Sequence, residues 1–143
     1  MMLKRVEKKE LPLLADLERA AFHAPWSEQA LALLCGESAF GFVCIEQGIA
    51  AAYGGMLTVL DEGQITNIAT HPDHRRRGLA ASVMGALLQE ARARGLVSVT
   101  LEVRVSNAGA IALYEKFGFR VWGKRPRFYT NPTEDALIMG VTL

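Results

Sequence analysis

Residues 67–80 read Asn-Ile-Ala-Thr-His-Pro-Asp-His-Arg-Arg-Arg-Gly-Leu-Ala, and they lead from a predicted strand through a short loop into a predicted helix. The free N–H groups of a helix's first turn bind anions, and the helix dipole favours the negative charge. Gly78 has no Cβ to keep a phosphate away from the backbone, and a run of arginines adds charge-assisted hydrogen bonds. The stretch therefore predicts a pyrophosphate site whose candidate ligands are Arg75, Arg76, Arg77, Gly78, Leu79, Ala80 and Ala81.

The arginine run has two other interpretations, of which only the first stays open. Arginines in front of a helix commonly form a solvated basic face, and three of them can also contact the phosphates of a nucleic acid. No aromatic residues interleave with the run as in a typical single-strand binding surface, and its spacing is not that of the GxxxxGK(S/T) nucleotide loop. We therefore expect no direct nucleic-acid partner.

Hydrophobic periodicity before this stretch predicts two helices followed by three antiparallel strands. The helices are residues 11–22 and 27–34, and the strands are residues 40–45, 49–59 and 64–70, with turns at 47–48 and 61–63. After it, the pattern alternates between helix and strand. The helices are residues 79–94 and about 107–117, the strands are residues 97–105, 119–122 and 136–143, and the segment 123–135 is expected to be irregular. This order predicts a three-layer α/β fold, in which a mixed sheet of six or seven strands carries helices on both faces.

Length and composition indicate one globular domain, residues 1–143. Half of the residues are hydrophobic and 22% are charged, which disfavours disorder. No apolar run approaches the roughly 20 residues of a membrane span, and the basic N-terminus lacks the apolar segment of a secretory signal. Cys35 and Cys44 match no zinc-ligand spacing. We therefore expect a cytoplasmic protein with no metal and no membrane partner. That it is a monomer is a further expectation, which these observations do not supply.

Two further stretches carry a family resemblance. They are Leu101-Glu102-Val103-Arg104-Val105-Ser106-Asn107 and Ala112-Leu113-Tyr114-Glu115-Lys116-Phe117-Gly118-Phe119. Together with the arginine loop, which matches the pattern Arg/Gln-x-x-Gly-x-Gly/Ala, they make the chain similar to the GNAT superfamily of N-acetyltransferases. Pro25-Trp26-Ser27-Glu28 and Asp61-Glu62 add a resemblance to the bacterial subfamily that acetylates the N-terminal alanine of a ribosomal protein.

The resemblance implies the GNAT acyl-CoA N-acyltransferase fold and acetyl-CoA as co-substrate. It also implies a protein N-terminus as acceptor, in the first place the alanine of the eighteenth small-subunit ribosomal protein. Acetylation of a small amine or of a lysine is the alternative within the enzyme class. A non-catalytic module that binds acyl-CoA is the alternative outside it.

Residue roles follow partly from the pattern and partly from the resemblance. Glu102 is the one carboxylate in the polar row of the strand 97–105 and is the candidate general base, unless it only pairs with an arginine. The resemblance makes Tyr114 the candidate acid for the leaving thiolate, with packing in the core as the alternative. Backbone N–H groups of Ile68, Ala69 and Thr70 are expected to face the thioester carbonyl where family members splay two strands apart.

The remaining candidates concern the edges of the site. Asn107 is expected either to hold the pantetheine arm of acetyl-CoA or to cap the helix that follows it. By resemblance, Trp26 and Tyr129 wall the groove for the acceptor, together with the neighbouring residues His23 and Phe128, although Trp26 is equally well explained as a core anchor.

Overall fold

A computed structural model describes all 143 residues and contains one seven-stranded sheet flanked by helices. The strands are β1 Met2–Arg5, β2 Ala39–Glu46, β3 Ile49–Val59, β4 Glu62–Thr70, β5 Ser98–Arg104, β6 Arg120–Tyr129 and β7 Glu134–Thr142. The helices are α1 Leu11–Ala21, α2 Glu28–Leu31, α3 Leu79–Ala93 and α4 Ala108–Lys116. The strand order is β1-β2-β3-β4-β5-β7-β6, with β4 and β5 parallel and all other neighbours antiparallel. The prediction of a three-layer mixed sheet is confirmed.

Two apolar clusters lie on opposite faces of the sheet. Residues of α3 and α4 form one with the inward row of β5, and residues of α1 and the segment around α2 form the other with β2 and β3. Close packing of α3 depends on Gly54 in β3, because a Cβ there would lie 2.8 Å from Cγ1 of Val83. None of the helices has the length and apolar character needed to cross a membrane.

The sheet is open in the middle. Residues 62–64 of β4 pair with residues 98–100 of β5, and beyond these three pairs the two strands separate. A bulge at Thr66 shifts the register of β4 against β3 just where the separation begins, and bulges increase the bend of the strand that carries them. The far halves of β4 and β5 therefore have unpaired edges that face each other across a gap.

Three segments differ from the sequence prediction. β1 was not predicted, and its four residues pair only with β2 at one edge of the sheet. The segment 123–135 is not irregular throughout, because β6 continues to Tyr129. Pro126 is tolerated there because β6 is an edge strand with a register irregularity between Arg125 and Tyr129. The second helix is α-helical only to Leu31 and then continues as a 3₁₀ helix, Ala32–Cys35.

Candidate active site

A cleft of about 830 Å³ opens where β4 and β5 separate. One wall is the loop after α1, where Phe22, His23 and Trp26 line the cleft. The opposite wall is the tip of the β6–β7 hairpin, residues 128–132, and the polar row of β5 forms part of the floor. Trp26 and Tyr129, the two residues expected to bind the acceptor, therefore both line this cleft.

The titratable side chains that line the cleft include Glu102 from β5, Tyr114 from α4 and Tyr129 from the end of β6. Burial, and next the charge of Glu102, raise the pKa of Tyr129, and burial, and next Tyr129, raise the pKa of Tyr114. Both predicted catalytic residues therefore line the same cleft.

Glu102 keeps one third of its side chain exposed at the cleft floor. The cation beside it is Arg125 of β6, whose Nε lies 3.6 Å from Glu102 Oε1. The neighbouring Arg104 is occupied elsewhere, since it donates to the carbonyl oxygens of Thr130 and Pro132 and stacks on the ring of Tyr129. Arg104 therefore fixes the hairpin tip, while Glu102 remains accessible from the cleft.

The two tyrosines are protonated donors at neutral pH. Burial, with a smaller effect of Tyr129, raises the pKa of Tyr114 from its ordinary value of 10.0 to about 12. Burial and the Glu102 carboxylate also raise the pKa of Tyr129. Because both phenols hold their protons more strongly than a free phenol, either can donate a hydrogen bond into the cleft across the neutral range.

The unpaired edge of β4 offers backbone donors to the gap. The N–H of His71 donates to Ala51 O on β3, and successive N–H groups of a strand point to opposite edges. The N–H groups of Ile68 and Thr70 therefore point away from β3 toward the gap. The N–H of Ala69 points to β3 instead, which leaves Ile68 and Thr70 as the two donors of this segment that face the gap.

The loop before α3 has the backbone geometry of an anion site. Arg76 and Gly78 both have a positive φ, 64° and 75°, and no side chain caps α3. The first hydrogen bond of the helix runs from Ser82 N to Gly78 O, so the N–H groups of Leu79, Ala80 and Ala81 have no partner in the protein. A pyrophosphate fits these free donors, and nothing lies within 4 Å of a Cβ built on Gly78.

The three arginines of this loop are not equivalent. Arg75 and Arg76 are exposed and free of ion pairs. Arg77 donates to both carboxylate oxygens of Glu46 at 2.6 Å, and His74 lies beside the same carboxylate. This bidentate bond, followed by the charge of Arg77, lowers the pKa of Glu46 despite some opposing desolvation. The side chain of Arg77 therefore ties the loop to the end of β2 rather than projecting freely.

Asn107 caps α4 and also lines the cleft. The cap is made by its Oδ1, which accepts a hydrogen bond from Ala110 N at 3.2 Å. Because capping uses only the oxygen, the amide N–H₂ group of Asn107 keeps its donors.

Two polar residues beside the cleft, Glu18 and Thr66, were not predicted from the sequence. Glu18 is fully buried and accepts three hydrogen bonds, and Thr66 Oγ1 is buried without a partner at the bulge of β4. A signal for Glu18 existed, since it falls between Leu17 and Ala21 on the apolar side of α1, where charges are rarely placed. Nothing in the sequence pattern marked Thr66.

Comparison with known proteins supplies the family. A model of the acetyltransferase (GNAT) family matches residues 11–119. The chain is 38% identical over 143 residues to the ribosomal-protein-bS18-alanine N-acetyltransferase of Escherichia coli, covering 99% of this chain and 97% of that protein. It is 32% identical to the enzyme of the same name from Haemophilus ducreyi, covering 99% and 100%. A crystal structure of the Escherichia coli ribosomal-protein-S18-alanine N-acetyltransferase superposes with a TM-score of 0.91, covering 99% of this chain and 92% of the other. The chain belongs to the GNAT family of acetyltransferases.

Proposed function

We propose that this protein transfers the acetyl group of acetyl-CoA to the N-terminal α-amino group of a protein, namely the N-terminal alanine of ribosomal protein bS18. The observation that supports this most directly is the 38% identity to the Escherichia coli enzyme of that name, which extends over nearly the full length of both chains. The cleft between β4 and β5 agrees with it, because it is open to solvent and has both Glu102 and Tyr114 in its lining.

The loop before α3 is the proposed binding site for the pyrophosphate of acetyl-CoA. The N–H groups of Leu79, Ala80 and Ala81 would bind the phosphate oxygens, with Arg75 and Arg76 adding charge, and the amide of Asn107 would bind the pantetheine arm. When bound, acetyl-CoA supplies an activated acyl group on a thiol that leaves readily. Ile68 and Thr70 would donate their N–H groups to the negative charge that develops on the carbonyl oxygen.

Glu102 is the proposed base and Tyr114 the proposed acid. An α-ammonium group titrates near pH 8, roughly 7.7–8.0 in peptides, so a carboxylate at the cleft floor, directly or through a water, can remove its proton near neutrality. The neutral amine then attacks the carbonyl carbon. As the C–S bond breaks, the phenol of Tyr114, whose proton burial retains, donates that proton to the departing sulfur. The proton that the attacking nitrogen still has to lose returns to the phenolate, directly or through a water.

The acceptor would enter between the loop after α1 and the hairpin tip. Trp26 and Tyr129 would contact the first residues of the acceptor, because they line the cleft from its two walls. A single domain that acts as a cytoplasmic monomer, without a metal, stays a prediction from the sequence.

Mass spectrometry of acetyl transfer to a peptide panel tests the proposal. The panel contains an alanine-terminated bS18 peptide, the same peptide with its N-terminus blocked, versions starting with other residues, and a small polyamine. We expect a single acetyl group on the α-amine of the alanine peptide and none on the blocked peptide. Transfer to internal lysines or to the polyamine alone would contradict it, and acetyl-CoA binding without any transfer would favour a non-catalytic module.

A further inference from the structure

Two carboxylates of the chain are buried, and only one of them lies at the cleft. Glu10 is 4% exposed near the N-terminus, and Glu18 in α1 is 0% exposed. Glu10 accepts from Lys4 and from a backbone N–H. Glu18 forms no ion pair, although burying a carboxylate without a cation is costly unless donors replace the lost water. The hydrogen bonds that replace water around the Glu18 carboxylate therefore need a structural explanation.

Three donors from three other parts of the fold converge on Glu18. Its Oε2 accepts from the hydroxyl of Tyr53 on β3 at 2.5 Å and from Nδ2 of Asn67 on β4 at 2.6 Å. Its Oε1 accepts from the backbone N–H of Trp26 at 2.8 Å. Burial, and next the bond to Glu18, raise the pKa of Tyr53, so that its phenol stays a donor.

The third bond, through Glu18, connects the wall formed by the loop after α1 to the edge of β4. Trp26 belongs to the wall formed by the loop after α1, and Asn67 lies on the unpaired half of β4. Residues 23–26 make no other hydrogen bond through backbone or side chain. The position of this wall relative to the edge of β4 therefore depends on Glu18, with apolar packing of Trp26 as the other contact.

We propose that Glu18 is a positioning residue for the acceptor, which holds the loop 23–26 against Asn67 so that the groove has its width before the peptide binds. This inference rests on the proposed function in taking that groove as the acceptor site. It assigns no chemical step to Glu18, since the carboxylate is fully buried and its two oxygens already accept three hydrogen bonds from the protein. Its loss should raise KM for the acceptor and leave KM for acetyl-CoA unchanged.

Substitution by alanine, with a matched control, tests the idea. Glu18→Ala removes all three acceptor bonds, and Glu10→Ala removes a comparably buried carboxylate that also accepts one backbone N–H but lies away from the cleft. Both variants should lose stability. We expect KM for the peptide to rise about tenfold in Glu18→Ala only, the scale of a lost hydrogen bond to a charged group. An equal rise in both variants, or an equal rise of KM for acetyl-CoA, would overturn the proposal.

Glu18→Gln provides the rescue. An amide has one acceptor and two donor hydrogens, and the hydroxyl of Tyr53 and the amide of Asn67 can reverse their roles to accept from it. The backbone N–H of Trp26 can only donate, so it keeps its hydrogen bond to the side-chain oxygen at position 18. We therefore expect Glu18→Gln to bind peptide nearly as the wild type does. KM for the peptide could instead rise tenfold in Glu18→Gln while the side-chain oxygen still accepts from the N–H of Trp26. The charge of Glu18 would then matter and not its position, and the proposal would fail.

Hydrogen exchange tests the hydrogen bond from the N–H of Trp26 to Glu18 without requiring turnover. Amide exchange followed by mass spectrometry should be faster across residues 22–27 in Glu18→Ala than in the wild type, and unchanged there in Glu10→Ala and Glu18→Gln. Should Glu18→Ala not fold, Glu18→Asp replaces it, because it keeps the charge and retracts the carboxylate by one methylene. Unchanged exchange in a folded Glu18→Asp with normal peptide KM would overturn the inference.

The two proposals fail in different ways. A wild-type protein that does not acetylate the alanine peptide contradicts the proposed function alone. In that case the exchange experiment, and KM for whichever amine the wild type accepts, still decide the role of Glu18.

Discussion

Glu102 lies 3.6 Å from Arg125, and this neighbour gives the carboxylate two possible roles. An exposed ion pair contributes little to stability, about 0–1 kcal/mol, so pairing alone is a weak reason for an acid at the floor of the cleft. A base acting on an ammonium group has a different signature, because it is needed only while the substrate carries the proton. The pH dependence of a variant therefore separates the two roles.

Glu102→Gln should lower kcat/KM for an alanine-terminated peptide most near neutral pH, and the defect should shrink as pH rises past the pKa of the amine. The measurement runs from about pH 6.5 to 9.5, which brackets the α-amino pKa. Arg125→Met is the matched control, since it removes the ion pair and leaves the carboxylate. If both variants show the same loss at every pH, Glu102 is only the partner of Arg125.

Tyr114→Phe removes one oxygen from a buried side chain and should leave the affinity for acetyl-CoA nearly unchanged. If the phenol protonates the sulfur, kcat falls by roughly 10²-fold or more, the scale of general acid catalysis. With a pKa of about 12, up from 10.0, the acid form is fully present below pH 10 and is lost only as pH rises toward 12. The wild-type rate should therefore show no alkaline decline from this group below pH 10. A normal kcat in the variant would show that Tyr114 only packs in the core.

At the scale of an element, α3 lies between two glycines that have nearly the same positive φ. Gly78 precedes the helix with φ +75° and Gly95 follows it with φ +77°, and neither has an atom within 4 Å of a built Cβ. A side chain at either position thus meets backbone strain of about 1–2 kcal/mol and no steric clash. The two ends differ in function, because only the first carries the free N–H groups of the anion site.

Gly78→Val should therefore weaken acetyl-CoA binding by about tenfold or more, since it disturbs the backbone that approaches the pyrophosphate. Gly95→Val carries the same strain at the other end of α3 and should lose stability without losing affinity. Arg75→Ala should have a smaller effect than Gly78→Val, because it removes an exposed charge and no backbone donor. Calorimetric titration of folded proteins measures all three. Equal affinities of the two valine variants would exclude the loop as the phosphate site.

At the scale of the whole molecule, local patterns predicted most of the fold and long-range contacts supplied the rest. The alternation of residues 97–105 and the turn at Gln47-Gly48 are local, and both were predicted correctly. β1 depends on an edge pairing with β2, and β6 continues past Pro126 because only one of its edges is paired. In the cleft, Glu102 was identifiable from its strand, but its neighbour Arg125 comes from a segment expected to be irregular. The register of β6 on β7 brings it there, and no local pattern encodes that register.

From the same architecture we expect that binding of acetyl-CoA raises the thermal stability of the folded protein. The proposed ligands of acetyl-CoA lie on both sides of the gap, with the loop before α3 and the edge of β4 on one side and Asn107 at the start of α4 on the other. A ligand that binds only the folded state stabilises it by about 2.7 kcal/mol at 100 times its Kd, which for a chain of this size raises Tm by about 5–10 °C. We expect this rise in the wild type and in Tyr114→Phe, measured by thermal denaturation with saturating acetyl-CoA. Gly78→Val should show a clearly smaller rise at the same concentration. A wild-type Tm that does not move with acetyl-CoA would show that the cleft and its loop do not form a binding site.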